Sequence, residues 1–144
     1  MNLEFNTAIH ILCFLARHSD EQFTSNELAE KVCVNPVQLR RVTSKLKEAG
    51  HLDASRGKYG GYYANSETLT TALSDLFVLF VEGKTKGRLF TGDEKSDCLI
   101  SREISHVLAD YELQEYEMLK QHYHNVKIAD VLNQILMEAY DEKI

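Results

Sequence analysis

The chemistry-bearing side chains of this 144-residue chain crowd into one short stretch, RGKYGGYY, Arg56 to Tyr63. Arg56 and Lys58 are cations suited to gripping phosphate oxygens or entering a narrow minor groove. Tyr59 can stack or hydrogen-bond beside them. Gly57, Gly60 and Gly61 allow positive φ and let backbone approach another surface closely. Further cations stand just before this stretch. Lys31, Arg40, Arg41, Lys45, Lys47, Arg56 and Lys58 face only Glu48 and Asp53 between Lys31 and Tyr62, a window of +5 in a chain of formal net charge -6. The remainder therefore carries -11. One basic face on an acidic body is the footprint of a polyanion binder, and the body repels DNA elsewhere. The plainer reading of the same charges is a solvated face.

The thiols are Cys13, Cys33 and Cys98. Cys13, inside HILCFLA, reads as a buried small hydrophobe. His10 stands one turn from it and would make half a metal site with no other half. His122 and His124 flank Tyr123 without a second pair, so no metal ligand is assigned. The chain has no GxSxG, HExxH, phosphate-loop or CxxC pattern, and no catalytic residue is assigned. The three-glycine stretch is not a nucleotide loop, because a strand follows it where a helix would have to start. The strongest enzyme reading is a thiol peroxidase or reductase built on Cys33. A third class is a protein-interaction adaptor that binds no DNA.

These residues need elements to hold them. The composition, with 44% hydrophobic residues and one proline, is that of a globular chain. No apolar run reaches the ~18 residues a transmembrane helix needs. The N-terminal stretch reads as a first helix over residues 3 to 18, with Leu3, Ala8, Leu12 and Leu15 near one stripe, rather than as a signal peptide. The expected compartment is the reducing cytoplasm. FTSNELAEKV starts a second helix, with Thr24 and Glu27 at capping-box spacing and Phe23 and Leu28 as the staple. Asn35 and Pro36 open a third helix that runs to about Ala49 and stops at Gly50. Two short helices joined by a few residues are a helix-turn-helix. Leu52 and Ala54, then Tyr62 and Ala64, predict two strands with RGKYGG as their tip, a wing directly after the recognition helix. One of Tyr62 and Tyr63 should be core. TLTTALSDLFVLFVEG predicts a helix ending at Gly83, and a polar loop covers 84–97. A long helix follows from about Asp97 to His122, with Ile100, Ile104, Val107, Leu108, Tyr111, Met118 and Leu119 on its apolar positions. VKIADVLNQILMEAY closes the chain as a short amphipathic helix.

On the third helix, a period of 3.6 residues places Leu39, Val42, Leu46 and Ala49 on the core side. Val37, Gln38, Arg40, Arg41 and Ser44 are candidates for the DNA side, with Lys45 and Lys47 on its flanks. Arg40 or Arg41 can make a bidentate contact to guanine, and Val37 can touch a thymine methyl. Lys45 and Lys47 suit phosphates. The fold class expected is mainly α: a winged helix-turn-helix DNA-binding domain over 1–83, and a sensor loop with dimerisation helices over 84–144.

ELAEK, NPVQLRRVTSKLKEAGHLDASRGKYGGYYAN and VEG resemble the Rrf2 family of bacterial transcription regulators, over nearly the whole chain and most strongly from Ser25 to Gly83. The most specific part is Ala49, Gly50, Leu52, Ser55, Arg56, Gly57, Gly60, Gly61 and Tyr62. The resemblance implies a homodimer, joined through the long helix, that binds a palindromic operator and acts as a repressor. It implies base-reading positions near Asn35, Val37 and Arg40, and a minor-groove arginine at Arg56. Iron–sulfur members carry three cysteines in the loop and early dimer helix. This chain has Cys98 alone there, too few thiolates for a cluster that takes about four protein ligands. No cofactor is expected.

In the resembled architecture the segment around Cys98 approaches the winged domains. Cys33 sits in the helix-turn-helix turn, where a helix N-terminus and cations favour thiolate. A Cys33–Cys98 disulfide, within or between subunits, would re-aim the recognition helix. The thiols packing as plain edge residues is the alternative. A small metabolite or protein partner controlling the same DNA binding is the other reading.

Overall fold

Each early helix begins where a side chain closes it. The Asn2 carboxamide oxygen accepts from the Phe5 N–H at 2.8 Å and opens α1 (Leu3–Arg17). Thr24 and Glu27 form the expected capping box of α2 (Ser25–Val32). Asn35 caps α3 (Pro36–Glu48) with Pro36 in its first turn, and Gly50 at φ +84° lets the chain leave it. In the computed structural model, which describes residues 1–84 and 89–142, there follow β1 (Asp53–Ser55), β2 (Gly61–Tyr63), α4 (Leu73–Phe80), α5 (Leu99–His124) and α6 (Ile128–Glu142). The architecture is mainly helical, with one two-stranded antiparallel sheet whose register pairs Asp53 with Tyr63 and Ser55 with Gly61.

One core joins the elements. Phe5, Ile11, Leu12 and Leu15 of α1 meet Leu28 of α2, Leu39 and Leu46 of α3, Leu76, Phe77 and Phe80 of α4, and Ile128 of α6, all fully buried. Burying each such side chain contributes about 1.5–3 kcal/mol. Phe23 and Leu28, the expected staple, both lie in this cluster. Thr43 is also fully buried on α3, its hydroxyl donating to the Leu39 carbonyl at 3.0 Å, as a buried polar group requires.

Three expectations need correction. Leu3 is 59% exposed, and Phe5 and Ile11 take the place given to it in the apolar stripe. Ala49 is exposed, because the helix ends at Glu48 and the chain turns away there. The fourth helix starts at Leu73 rather than near Thr68, since residues 68–72 have other backbone partners. The Leu69 and Thr71 carbonyls accept from the N–H groups of Ala129 and Ile128, and Leu73 N–H donates to the Val126 carbonyl at 2.8 Å. Thr68 is buried and donates to the His51 carbonyl at 2.8 Å, fastening this segment to the end of α3.

α5 has 26 residues, about 39 Å at the usual rise of about 1.5 Å per residue. Its C-terminal part is clasped by the core: Tyr123 packs against Phe5 and Phe77 with ring centroids 5.3 and 5.8 Å apart. None of its residues is buried, and Ile100, Val107, Leu108, Tyr111, Leu113 and Met118 are exposed. The segment before it folds back on its first turns. Asp93 N–H donates to the Ser101 carbonyl at 2.9 Å, and Glu94 pairs with His106 at 3.4 Å. Part of the polar loop expected at 84–97, residues 85–88, lies outside the described residues, as do residues 143–144. Among the described residues no helix is long and apolar enough to cross a membrane.

Candidate nucleic-acid interface

The wing is a hairpin whose tip spans Arg56 to Gly60. Gly57 sits at φ +108°, a backbone that side chains rarely adopt, and its carbonyl accepts from the Gly60 N–H at 3.1 Å. Gly61 has a different reason to be glycine. Its strand runs against Phe23, which exchanges two backbone hydrogen bonds with Tyr62, at 3.0 and 2.7 Å. A Cβ on Gly61 would stand 2.5 Å from the Phe23 carbonyl oxygen. Ser55 Oγ donates to Gln22 Oε1 at 2.6 Å and ties the other strand to the same loop. At the wing base Asn65 donates from its amide to the Gly50 carbonyl at 3.1 Å. Of the two tyrosines, Tyr62 packs against the core. Leu52 and Ala64 flank the two strands rather than lying within them.

This framework leaves the tip free. Arg56, Gly57, Lys58 and Tyr59 are exposed, Tyr59 by 86%, with the Lys58 ammonium 5.7 Å from its ring centroid. On α3, Val37, Arg40, Ser44 and Lys47 are exposed too, Val37 by 60%. Asn35 is exposed, but its Oδ1 accepts from the Val37 N–H at 2.8 Å, so this oxygen serves the helix.

The remaining α3 candidates turn elsewhere. Gln38, Arg41 and Lys45 stand at i, i+3 and i+7 and line a groove of about 760 Å³ shared with Glu4 of α1, Phe80 at the end of α4 and Lys84 just beyond it. The Arg41 guanidinium pairs with Glu4 at 3.6 Å. Lys45 Nζ lies 5.6 Å from the centre of the Phe80 ring, a cation–π arrangement. The exposed surface of α3 is thus two adjacent stripes, one open and one with partners. The contacts of Glu4, Phe80, Gln22 and Asn65 are tertiary, and no local pattern in the sequence signals them.

Cys33 caps the end of α2 at φ +62°, among the described residues the one non-glycine with positive φ, exposed, with its Sγ 3.6 Å from the Glu30 carbonyl. Cys98 is exposed at the N-cap of α5. Cys13 is buried, and burial pushes its thiol up to about 11. His51, between α3 and β1, is held below its ordinary value by burial, with Asp75 and Glu67 opposing the shift.

Three comparisons place this geometry. The model of the Rrf2 family, "Iron-dependent Transcriptional regulator", matches residues 1–134. A Lactococcus lactis protein named as an HTH-type transcriptional regulator, YffB, is 32% identical over 84 residues, 58% of this chain. That alignment spans about half of YffB, 52%. A Lactobacillus plantarum crystal structure assigned as a transcriptional regulator is 28% identical, covers 100% of both chains, and superposes with a TM-score of 0.83. The structure of T. potens IscR matches 94% of this chain and 87% of its own with a TM-score of 0.65 at 17% identity, a likeness of fold.

Proposed function

The chain belongs to the Rrf2 family of transcriptional regulators, and we propose that it is a cytoplasmic, homodimeric repressor of a palindromic DNA operator. The observation that carries this reading is the pairing of two exposed elements on one scaffold. The open stripe of α3 offers Val37, Arg40 and Ser44, and the wing offers Arg56, Gly57, Lys58 and Tyr59. The stripe reads base edges in a major groove. The wing tip reaches the flanking minor groove or its phosphates. Asn35 keeps the start of α3 in place rather than reading a base with its oxygen. Dimerisation would cover the apolar residues of α5, whose exposed Val107, Leu108, Tyr111 and Met118 lack a cover within the subunit. The two α3 helices then meet half-sites about 10–10.5 base pairs apart, or a multiple of that. In this division of labour residues 1–83 read DNA and residues 84–144 assemble the dimer and take the signal.

The family description names iron, but the residues of this chain do not fit an iron–sulfur group. Cys98 is the one cysteine between α4 and α5, Cys33 and Cys13 stand on other elements, and His106 is paired with Glu94. Among the described residues no three metal-type ligands gather. We infer regulation without a cluster. The exposure of both Cys33 and Cys98 supports oxidation of these thiols as the signal; a metabolite or protein partner is the second reading.

The test is fluorescence anisotropy with DNA from the gene's own upstream region, on reduced protein and after a mild oxidant, with a non-reducing gel and light scattering beside it. A dimer with salt-dependent, sequence-specific binding is expected. Arg56→Ala should weaken that binding and relax the preference for A·T flanks. A monomer that binds no duplex above random DNA overturns the proposal. A change in affinity that tracks a Cys-linked species assigns the signal to the thiols, and indifference to oxidant removes them.

A further inference from the structure

The groove between α3, the start of α1 and the end of α4 has the features of an anion site. Three of its side chains are cationic: Arg41, Lys45 and Lys84. Glu4 is the single carboxylate among its described lining residues. The groove also receives the N-terminal end of the 15-residue helix α1, which favours negative charge. The groove is open to solvent on one side, with a volume of about 760 Å³. Lys45 lies over the ring of Phe80, which is itself fully buried in the core. One carboxylate already sits there. The Glu4 side chain, three-quarters shielded from solvent, lies 3.6 Å from the Arg41 guanidinium.

We propose that this groove binds a phosphate-class anion, and that Glu4 is its built-in stand-in, released from Arg41 when the ligand enters. The three cations outnumber the one carboxylate, so an arriving dianion finds uncompensated positive charge. The same chemistry has two sources: a free phosphate-bearing small molecule, or a backbone phosphate of DNA lying along α3. Both recruit Arg41 and Lys45, residues of the recognition helix. A free anion and DNA therefore compete for the same two side chains, and each lowers the apparent affinity of the other as its own occupancy rises. The site itself stands on the groove geometry. Its consequence for the operator rests on the proposed DNA-binding function.

The experiment uses the full chain and inorganic phosphate as the probe. Backbone amide NMR spectra are followed as phosphate replaces chloride at constant ionic strength. Saturable shifts are expected at Asn2 to Glu4, at Gln38 to Lys45 and at Gly83 and Lys84. Glu4→Gln should tighten phosphate about two- to fivefold, the range a partly exposed ion pair commands. Arg41→Gln should weaken it about tenfold or more, as loss of a charged hydrogen bond does. Arg41 is exposed and Glu4 half-buried, and circular dichroism checks that each variant folds. A second arm measures operator affinity against salt for wild type and Lys84→Gln. A slope reduced by about one in Lys84→Gln assigns the site to a backbone phosphate. An unchanged slope, with inhibition by phosphate beyond chloride that Lys84→Gln abolishes, assigns it to a free anion. No saturable shift and no change of slope overturn the proposal. If wild-type protein still binds its operator in that case, the groove reading fails alone and the regulator reading survives.

Discussion

Gly61→Ala is the sharpest test of how the wing is built. The new Cβ would stand 2.5 Å from the Phe23 carbonyl oxygen, 2.6 Å from its carbon and 2.9 Å from its nitrogen. All three are backbone atoms and cannot swing aside. The strand must move off Phe23, and the two hydrogen bonds between Phe23 and Tyr62 stretch or break. Two such bonds are worth about 1–3 kcal/mol together, and relieving an overpacked contact costs about 1–3 kcal/mol. Part of the second cost is what breaks the first, so about 2–4 kcal/mol is expected. With a urea dependence of about 1.5 kcal/mol/M, the unfolding midpoint falls by about 1.3–2.7 M. Gly57→Ala is the control. Its Cβ would meet nothing within 4 Å, so only the positive φ resists it, at about 1–2 kcal/mol. The measurement is urea unfolding followed by circular dichroism on both variants. A Gly61→Ala midpoint within error of wild type, or a smaller loss than Gly57→Ala, would show that the wing is not pinned to Phe23 as described.

Other outcomes follow from single contacts. Thr24→Ala removes the hydroxyl that accepts from Glu27 N–H, and should cost about 1 kcal/mol in thermal or urea unfolding. Burial lowers the His51 pKa, so the folded state prefers the neutral ring and the unfolded chain binds the proton first. Stability from this group is complete above the ordinary value of 6.5 and is lost as pH falls from there through the folded value. His51→Gln should flatten that part of a Tm-against-pH curve, and an unchanged slope would count against it. Iodoacetamide at pH 8 should label Cys33 and Cys98 in the native protein and reach Cys13 only on unfolding, read by mass spectrometry; rapid native labelling at Cys13 would contradict its burial and raised pKa.

The boundaries of the reading head were legible because they are local. Thr24 with Glu27, Asn35 with Pro36, and Gly50 announce helix ends within four residues of where they act. Leu39, Val42 and Leu46 repeat at the helical period and are fully buried. What escaped is what depends on distant neighbours. Residues 68–72 look helical, but their carbonyls are needed by Ile128 and Ala129, some sixty positions on. Arg41 looks as free as Arg40 until α1 brings Glu4 beside it. The three glycines of the tip look like one flexible loop, yet Gly57 serves a turn and Gly61 serves a contact with Phe23. The exposure of α5 was foreshadowed by its length, since a helix that long has more apolar side chains than one small core can accept.

That helix is held at one end. Tyr116, Leu119 and Tyr123 grip the core, and Ile128 just beyond them is buried in it, while Ile100 and Val107 stand out in solvent. Mechanically α5 is a cantilever, a stiff rod clamped near its C-terminus. A rotation of about 3° at the clamp sweeps the far end of the free part, about 25 Å from Tyr116 to Leu99, by about 1.3 Å, taking the usual helical rise. In a dimer joined along such rods the relation also runs backwards: a small displacement where the rods cross re-spaces the two reading heads. Side chains near Tyr123 and Ile128, far from any base pair, would then act as the ruler that fixes which half-site spacing fits.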